Sequence, residues 1–256
     1  MRRRKVRDLF GLQKFLPKSL LSRGFAEGQN HTFSDPHIHN PISTHVRPFL
    51  IGIAGGSGSG KTSFIRALRA EFNEQQLCVL SQDDYYLPRE RQHRDENDEF
   101  NFDLPKSFHK KDFYRDVQKL LAGETVTRLE YTFNNPDIQP KALEFKPAPV
   151  VILEGLFVFH YKKIQPLYDL KVFLYAKENL KIIRRIHRDQ RDRGYPIDDV
   201  LYKYQYHVLP AYERYILPYK DEADIVINNN RDDYRDFRRG LSVLSGFIRS
   251  KLQEIK

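Results

Sequence analysis

The sequence predicts an α/β fold in which helices flank a doubly wound, parallel sheet. From residue 48 onward, strand-like and helix-like segments alternate along the chain, which is typical of parallel sheets. Two strand-like segments, 48–54 and 150–159, are largely apolar, as expected for strands that are covered on both faces. A glycine-rich segment, 55–60, directly follows the first of these strands and precedes a helix-like segment.

The individual elements follow from local patterns in the sequence. The helical segments repeat their apolar residues at the spacing of one helix face. Segments 125–133 and 142–145 flank the turn-rich stretch 134–140, and this arrangement predicts a small β-hairpin inserted into the domain. The predicted strands of the main sheet are 48–54, 76–81, 149–153, 170–175 and 223–228, and the predicted helices are 61–72, 112–122, 179–191, 198–217 and 234–251.

Length and composition limit the class of protein. A chain of 256 residues and 30.4 kDa has room for one α/β domain with an appendage, or for two small domains. No apolar run approaches the roughly 20 residues that a membrane-spanning helix needs, so we expect no membrane span. The only cysteine, Cys78, has no partner for an internal disulfide. We therefore expect a reducing compartment and a cytoplasmic protein.

The first 46 residues differ in composition from the rest of the chain. Eight of them are Lys or Arg and three are acidic. The segment matches an Arg-rich, acid-poor presequence for an organelle, a basic amphipathic helix on a membrane surface, or a disordered tail, and these three interpretations stay open. The predicted organisation is an N-terminal extension, 1–46, followed by one catalytic domain, 47–256.

The formal net charge of +9 is compatible with several kinds of ligand. Nucleic acid, anionic membranes and polyphosphate substrates all favour a basic protein. The sequence has no RNA-binding or helix-turn-helix signature, so we expect no nucleic-acid partner. The tripeptide His93-Arg94-Asp95 matches only the start of a protein-kinase catalytic loop, and it lacks the Asn that follows in that motif.

A phosphate-binding loop is the strongest motif in the chain. Glycines allow backbone N–H groups to point at phosphates, and the following helix N-terminus favours an anion. The lysine of the motif can reach the β- and γ-phosphates, and its threonine hydroxyl can bind Mg²⁺. The loop predicts a P-loop NTPase-type fold that binds a nucleotide with Mg²⁺, and by itself it does not distinguish a kinase from a GTPase, an ATPase motor or a nucleotide-sensing module. The matching residues are Gly55, Gly56, Ser57, Gly58, Ser59, Gly60, Lys61 and Thr62.

Acidic residues follow two of the predicted strands. Asp83 and Asp84 come after strand 76–81, and Glu154 ends the strand that begins at 149. The carboxyl ends of parallel strands face the ligand crevice, so an aspartate there can accept the proton of an acceptor alcohol. Glu154 is expected to act on Mg²⁺. The residue pattern alone does not decide between Asp83 and Asp84 as the base.

A cluster of arginines in segment 184–193 is followed by Gly194. Such a cluster next to a hinge glycine suits a lid that closes cations over the phosphate being transferred. The alternative is a basic helix face that contacts only solvent.

Taken together, these motifs resemble those of uridine–cytidine kinases in the phosphoribulokinase/uridine kinase family. The resemblance covers roughly residues 48–232. The phosphate loop is shared with many proteins, whereas the Gln-Asp and Asn-Phe-Asp elements are more specific. The matching segments are 51–62, Ser81-Gln82-Asp83, Asn101-Phe102-Asp103-Leu104-Pro105, Tyr131-Thr132-Phe133, Leu153-Glu154-Gly155, Arg184-Arg185 and Arg193-Gly194.

The resemblance implies transfer of the ATP γ-phosphate to the 5′-hydroxyl of uridine or cytidine, a step of pyrimidine salvage. Asp83 is then the base, and Asp103 holds the ribose hydroxyls. The substrate-binding residues so implied are Asp83, Tyr86, Asp103, Tyr131, Phe133 and Arg185, with Tyr131 and Phe133 stacking on the base.

The resemblance also implies which residues bind the nucleotide and the metal. Lys61, Arg185 and Arg188 act with Asp83 in catalysis. The residues implied to bind ATP, besides the loop, are Arg188, Arg193 and Asp232, and those implied to bind Mg²⁺ are Thr62 and Glu154. The resemblance further implies a homo-oligomer.

Three residues depart from the family pattern near the acceptor. Pro136 stands where animal enzymes have a histidine that contacts the base, and Tyr195 and Lys203 replace an arginine and a glutamine. A kinase of another small alcohol, such as a sugar phosphate or pantothenate, therefore remains an alternative. A nucleotide-binding regulatory module is a second alternative, although Lys61 and Asp83 favour an enzyme.

Overall fold

The computed structural model describes residues 46–132, 138–231 and 235–254. The chain divides into two units, Met1–Ser43 and Thr44–Lys256, and every described residue belongs to the second unit. The predicted extension therefore lies outside the described residues, apart from Val46. None of the described helices is long and apolar enough to cross a membrane.

The described residues form nine strands and six α-helices. The strands are β1 Phe49–Ala54, β2 Leu77–Ser81, β3 His93–Arg94, β4 Phe100–Asn101, β5 Val126–Leu129, β6 Ala142–Phe145, β7 Val150–Gly155, β8 Leu170–Tyr175 and β9 Ile225–Asn228. The helices are α1 Lys61–Glu71, α2 Lys110–Leu121, α3 Glu178–Arg193, α4 Ile197–Lys203, α5 Leu209–Tyr215 and α6 Arg235–Glu254.

Five strands form one parallel sheet in the order β2-β7-β1-β8-β9. Alternate residues of each central strand point to opposite faces, and both faces are covered. Leu50, for example, packs in the cluster that includes α2, whereas Ile51 packs in the cluster with α1 and α6. Coverage on both faces explains why these strands are continuous apolar runs in the sequence.

The register of the central strands places their polar ends side by side. Ala54 of β1 pairs with Gly155 of β7, and Ser81 of β2 pairs with Glu154. The phosphate loop, Glu154 and the segment after β2 therefore meet at one edge of the sheet. This edge is the crevice that a doubly wound sheet offers to ligands.

The predicted elements are confirmed, with boundaries shifted by a few residues, and two local features differ from the prediction. The segment predicted as one helix, 198–217, consists of α4, a π-helical turn Tyr204–Val208, and α5. The sequence also did not predict the antiparallel pair β3–β4, because strands of two residues have too few positions to show alternation.

The predicted hairpin is confirmed as the antiparallel pair β5–β6. A buried carboxylate, Asp116 of α2, holds it against the domain: Arg128 Nη1 donates to Asp116 Oδ2 at 2.9 Å, and the Tyr85 hydroxyl donates to the same oxygen at 3.0 Å. The Arg128 guanidinium also lies 3.7 Å from the centroid of the Tyr85 ring. This contact fixes the hairpin to the segment that carries Asp83.

We expect Arg128→Ala to lower the free energy of unfolding by about 2–3 kcal/mol, because it leaves a buried carboxylate without its main cation. Arg115→Ala is the matched control, since Arg115 contacts the same carboxylate with a side chain that is 58% exposed. It should cost less than about 1 kcal/mol. Urea unfolding of both variants measures the difference, and equal losses would contradict the role given to Arg128.

Candidate active site

A cavity of about 440 Å³ opens at the carboxyl edge of the sheet. It brings together most of the residues that the sequence predicted for the site. Those that line it are Ser57, Gly58, Gly60, Lys61, Thr62, Asp83, Tyr86, Asp103, Tyr131, Glu154, Arg185, Arg188 and Arg193.

The remaining predicted site residues fall into two groups. Gly55, Gly56 and Ser59 belong to the phosphate loop but do not line the cavity, and Ser59 is fully buried behind it. Phe133 and Asp232 lie outside the described residues, as does Pro136.

The loop has the backbone conformation that its glycines permit. Gly58 has φ 79°, and a Cβ atom there would lie 2.5 Å from the carbonyl oxygen of Lys181. Glycine is therefore needed both for the left-handed conformation and for the close approach of α3. Lys61 Nζ donates to the carbonyl of Gly55 at 2.7 Å and of Gly56 at 3.3 Å, so its ammonium lies against the loop.

The charges around Lys61 shift one another's ionisation. Enclosure in the cavity lowers the pKa of Lys61, and the nearby carboxylates Glu154 and Asp83 partly oppose this shift. Enclosure likewise raises the pKa of Asp83 and raises that of Glu154 to about 7. Perturbed groups of opposite charge gathered in one cavity are a physical sign of a functional site.

Ser81, the last residue of β2, connects the two carboxyl groups. Its hydroxyl donates to Glu154 Oε1 at 2.5 Å and accepts the backbone N–H of Asp83 at 3.2 Å. The second bond caps a 3₁₀ helix, Gln82–Tyr85, and Gln82 alone separates the end of the strand from the acidic pair.

The 3₁₀ helix separates Asp83 from Asp84. Asp83 lines the cavity, whereas Asp84 Oδ1 accepts the backbone N–H of Tyr131 at 3.4 Å and faces the hairpin. The two side chains point in different directions because they follow each other in a helical turn. Asp84 thus supports the acceptor hairpin.

A single buried carboxylate, Asp189, orients the predicted lid arginines. Its oxygens lie 3.1 Å from Arg185 Nε, 3.0 Å from Arg188 Nε and 3.1 Å from Arg193 Nη1. Arg185 and Arg188 also donate to the Ser57 hydroxyl at 3.1 and 3.3 Å, so helix α3 contacts the phosphate loop directly. The alternative interpretation of a purely solvated basic face is therefore wrong for these residues.

Aromatic rings form the other side of the cavity. The Tyr86 and Tyr131 rings lie 4.9 Å apart at an angle of 32°, and Phe102 contacts Tyr86 at 6.2 Å. Asp103 Oδ1 lies 4.0 Å from Arg185 Nη1, which connects this side to the lid.

Both described departures from the family pattern also line the cavity. Lys203 Nζ lies 5.0 Å from the centroid of the Tyr195 ring. The two side chains thus form one contact at the cavity surface, where Lys203 adds a cation.

Several lining residues were missed from the sequence. Asn229 follows β9 at the same edge, and its Nδ2 donates to the carbonyl of Ser59 at 2.9 Å, while Arg184 Nη1 donates to the Asn229 carbonyl at 3.1 Å. The rule that strand ends face the ligand could have identified Asn229. The other missed lining residues are Ser63, Phe100, Phe102, Leu156, His207 and Phe237.

The sheet order, the loop and the enclosed carboxylates define a P-loop protein of the kinase type. The sequence model of the phosphoribulokinase/uridine kinase family matches residues 50–234, and the chain belongs to this family.

Relatives from bacteria and a plant agree with this assignment. A uridine kinase from Lactiplantibacillus plantarum is 33% identical over 183 residues, which cover 72% of this chain and 88% of that protein. A uridine kinase from Streptococcus pneumoniae is 35% identical over 181 residues, with coverage of 71% and 85%. Uridine kinase-like protein 3 from Arabidopsis thaliana is 34% identical over 193 residues, covering 74% of this chain but 41% of that protein.

Among solved structures, phosphoribulokinase from Rhodobacter spheroides is similar with a TM-score of 0.51 and 19% sequence identity. The similarity covers 71% of this chain and 70% of that one. It supports the fold.

We expect Asp189→Asn to weaken ATP binding about tenfold, because the neutral amide no longer holds three arginines towards the loop. Asp198→Asn, at an exposed position of α4, is the control and should bind ATP like the wild type. Isothermal titration calorimetry measures both affinities. Unchanged binding by Asp189→Asn would contradict the orienting role of this carboxylate.

Proposed function

We propose that this chain is a uridine kinase that transfers the γ-phosphate of ATP to the 5′-hydroxyl of uridine, and also of cytidine, to form UMP and CMP in pyrimidine salvage. The proposal is carried by one observation: Asp83 lines the same cavity as the phosphate-loop lysine, opposite an aromatic surface that can hold an uncharged ring. The uridine kinase relatives support the choice of acceptor. The proposed catalytic domain is 47–256.

Asp83 is proposed as the general base. Its enclosure raises the pKa of its carboxyl group, which makes the carboxylate a better proton acceptor than an exposed aspartate. The base takes the proton of the 5′-hydroxyl while that oxygen bonds to the γ-phosphorus and ADP leaves. Asp84 is unsuited to this role because its carboxylate faces the hairpin backbone.

The cations are proposed to position and neutralise the phosphates. Lys61 lies in the loop, and Arg185, Arg188 and Arg193 reach it from the lid through Asp189. Fixed cations that need no rearrangement stabilise the charge of the phosphoryl group in the transition state. Asp232 is proposed to lie near the adenine.

The oxygen donors around the loop are of the type that Mg²⁺ binds. Thr62 and Glu154 both line the cavity and would hold the ion, together with phosphate oxygens and water. The described residues contain no group of three His, Cys, Asp or Glu side chains able to hold a metal ion. When bound, the ion neutralises charge on the phosphates.

The acceptor is proposed to lie on the aromatic side. Tyr86 and Tyr131 offer ring faces for stacking, and Asp103 offers two acceptors for the ribose hydroxyls. Phe133 is proposed to complete the stack. Arg185 lies between Asp103 and the loop, and it connects acceptor and phosphate binding.

A sugar phosphate is the second candidate acceptor. The observation in its favour is Lys203, which adds a cation to the cavity surface beside Tyr195. An anionic acceptor needs such a cation, whereas a nucleoside does not.

The acceptor assay decides between these candidates. We expect the purified protein to consume Mg·ATP with uridine and with cytidine, and to be inactive with ribulose 5-phosphate and with pantothenate. Coupled ADP release measures turnover with each acceptor separately. Turnover with ribulose 5-phosphate, but with neither uridine nor cytidine, would show that the acceptor is anionic. Lys203 would then be the residue that binds its phosphate.

We expect Asp83→Asn to lower kcat by about 10³-fold, because the amide cannot accept the hydroxyl proton. Its affinity for ATP should stay within about twofold, since the loop is unchanged. Asp84→Asn is the neighbouring control and should lower kcat by less than about tenfold. A kcat of wild-type size for Asp83→Asn would exclude it as the base.

A further inference from the structure

The π-helical turn Tyr204–Val208 brings a histidine to the cavity. A π turn holds one more residue per turn than an α-helix, which rotates the side chains on it, and such turns occur often at functional sites. His207 lies in this turn, lines the cavity, and has a side chain that is 1% exposed. None of the roles assigned above uses this residue.

A carboxylate on the opposite segment fixes the imidazole ring. His207 Nε2 lies 2.7 Å from Asp95 Oδ2, and the Tyr202 hydroxyl donates to the same oxygen at 2.7 Å. Asp95 Oδ1 accepts two backbone N–H groups, from Asn97 and Glu99, each at 2.9 Å. Asp95 lies between β3 and β4, so these bonds connect that hairpin to the π turn.

These bonds decide which ring nitrogen carries hydrogen. Partial burial works against the charge of Asp95, yet the hydrogen bonds from Tyr202, His207 and the two amides hold its pKa well below the ordinary value. An ionised carboxylate only accepts hydrogen bonds, so Nε2 of His207 must donate. In the neutral ring the other nitrogen, Nδ1, is then an acceptor.

The acceptor nitrogen is available to a ligand. No described residue hydrogen-bonds Nδ1 of His207, although the ring is almost completely buried and borders the cavity. An acceptor nitrogen at the cavity surface can take a hydrogen bond from water or from a bound molecule. Phe100 of β4 and Phe102, which follows β4, line the same cavity.

We propose that His207 is a specificity-determining residue that accepts a hydrogen bond from the acceptor nucleoside, and that Asp95 is the positioning residue that fixes its ring. The proposal rests on the proposed function. The donor on the ligand is an N–H of the base or a hydroxyl of the ribose. An acceptor molecule that has neither group forms no hydrogen bond with His207.

The test compares the wild type with His207→Phe, which keeps an aromatic ring but removes Nδ1. With uridine we expect KM to rise about fivefold or more, while KM for ATP stays within about twofold. The same measurement with 3-methyluridine, 2′-deoxyuridine and 3′-deoxyuridine identifies the donor. The penalty should vanish with the one analogue that lacks the bonded N–H or hydroxyl.

Two further variants separate this role from a structural one. Asp95→Asn should raise KM for uridine by a smaller factor, and this rise should vanish with the same analogue as in His207→Phe. The ring loses its charged partner in this variant but keeps Nδ1 as an acceptor. Tyr202→Phe removes a hydrogen bond to the same Asp95 oxygen outside the cavity, and it should leave all KM values within about twofold. Thermal unfolding confirms that each variant is folded.

Each outcome decides the proposal. An equal rise in KM with all four nucleosides, or no rise with uridine, overturns the hydrogen bond from the nucleoside to His207. If Tyr202→Phe raises the KM values as His207→Phe does, the contacts of Asp95 with Tyr202 and His207 only stabilise the hairpin β3–β4. A wild type that phosphorylates neither uridine nor cytidine overturns the proposed function, and this assignment with it.

Discussion

The enclosure of opposite charges at the carboxyl edge of the sheet is the constraint on which the site depends. Lys61, Asp83 and Glu154 share one cavity, and removal from bulk water disfavours the charged form of each. Lys61 favours the charged form of both carboxylates, and the Ser81 hydroxyl does the same for Glu154, whereas Asp83 disfavours the charge of Glu154. The same enclosure that makes these charges costly also strengthens their action on a bound phosphate.

Three carboxylates outside the loop orient side chains around the cavity. Asp189 holds the lid arginines, Asp116 holds the hairpin through Arg128, and Asp95 holds His207. In each case an acidic residue contacts a cationic or hydrogen-bonding side chain. Arg185 and His207 line the cavity, whereas Arg128 connects the hairpin to the rest of the domain. Orientation by such partners keeps long side chains within reach of a ligand and reduces the entropy lost on binding.

The sheet register explains why such distant parts of the sequence act together. β1, β2 and β7 are neighbours in the sheet, so the residues that follow them lie side by side although β7 comes about 70 residues after β2. Arginines of α3 and Tyr131, which follows β5, line the cavity at this edge. Membership of the phosphoribulokinase/uridine kinase family agrees with this arrangement.

The sequence by itself determined the class of fold, the phosphate loop and the candidate carboxylates. These depend on local signals: continuous apolar strands, glycines before a lysine, and acidic residues at strand ends. Thirteen of the predicted site residues line the cavity, and family resemblance was needed to prefer Asp83 over Asp84. A 3₁₀ turn after β2 provides the physical reason for that preference.

Only the tertiary structure decided which residues hold the site in place. The hydrogen bonds of Asn229 and Asp95 join segments 170 and 112 residues apart, and no local pattern predicts such partners. The π turn that brings His207 to the cavity is equally invisible in the sequence, since its apolar spacing does not differ enough from that of an α-helix. Local patterns fix elements, whereas side-chain partners depend on how those elements pack.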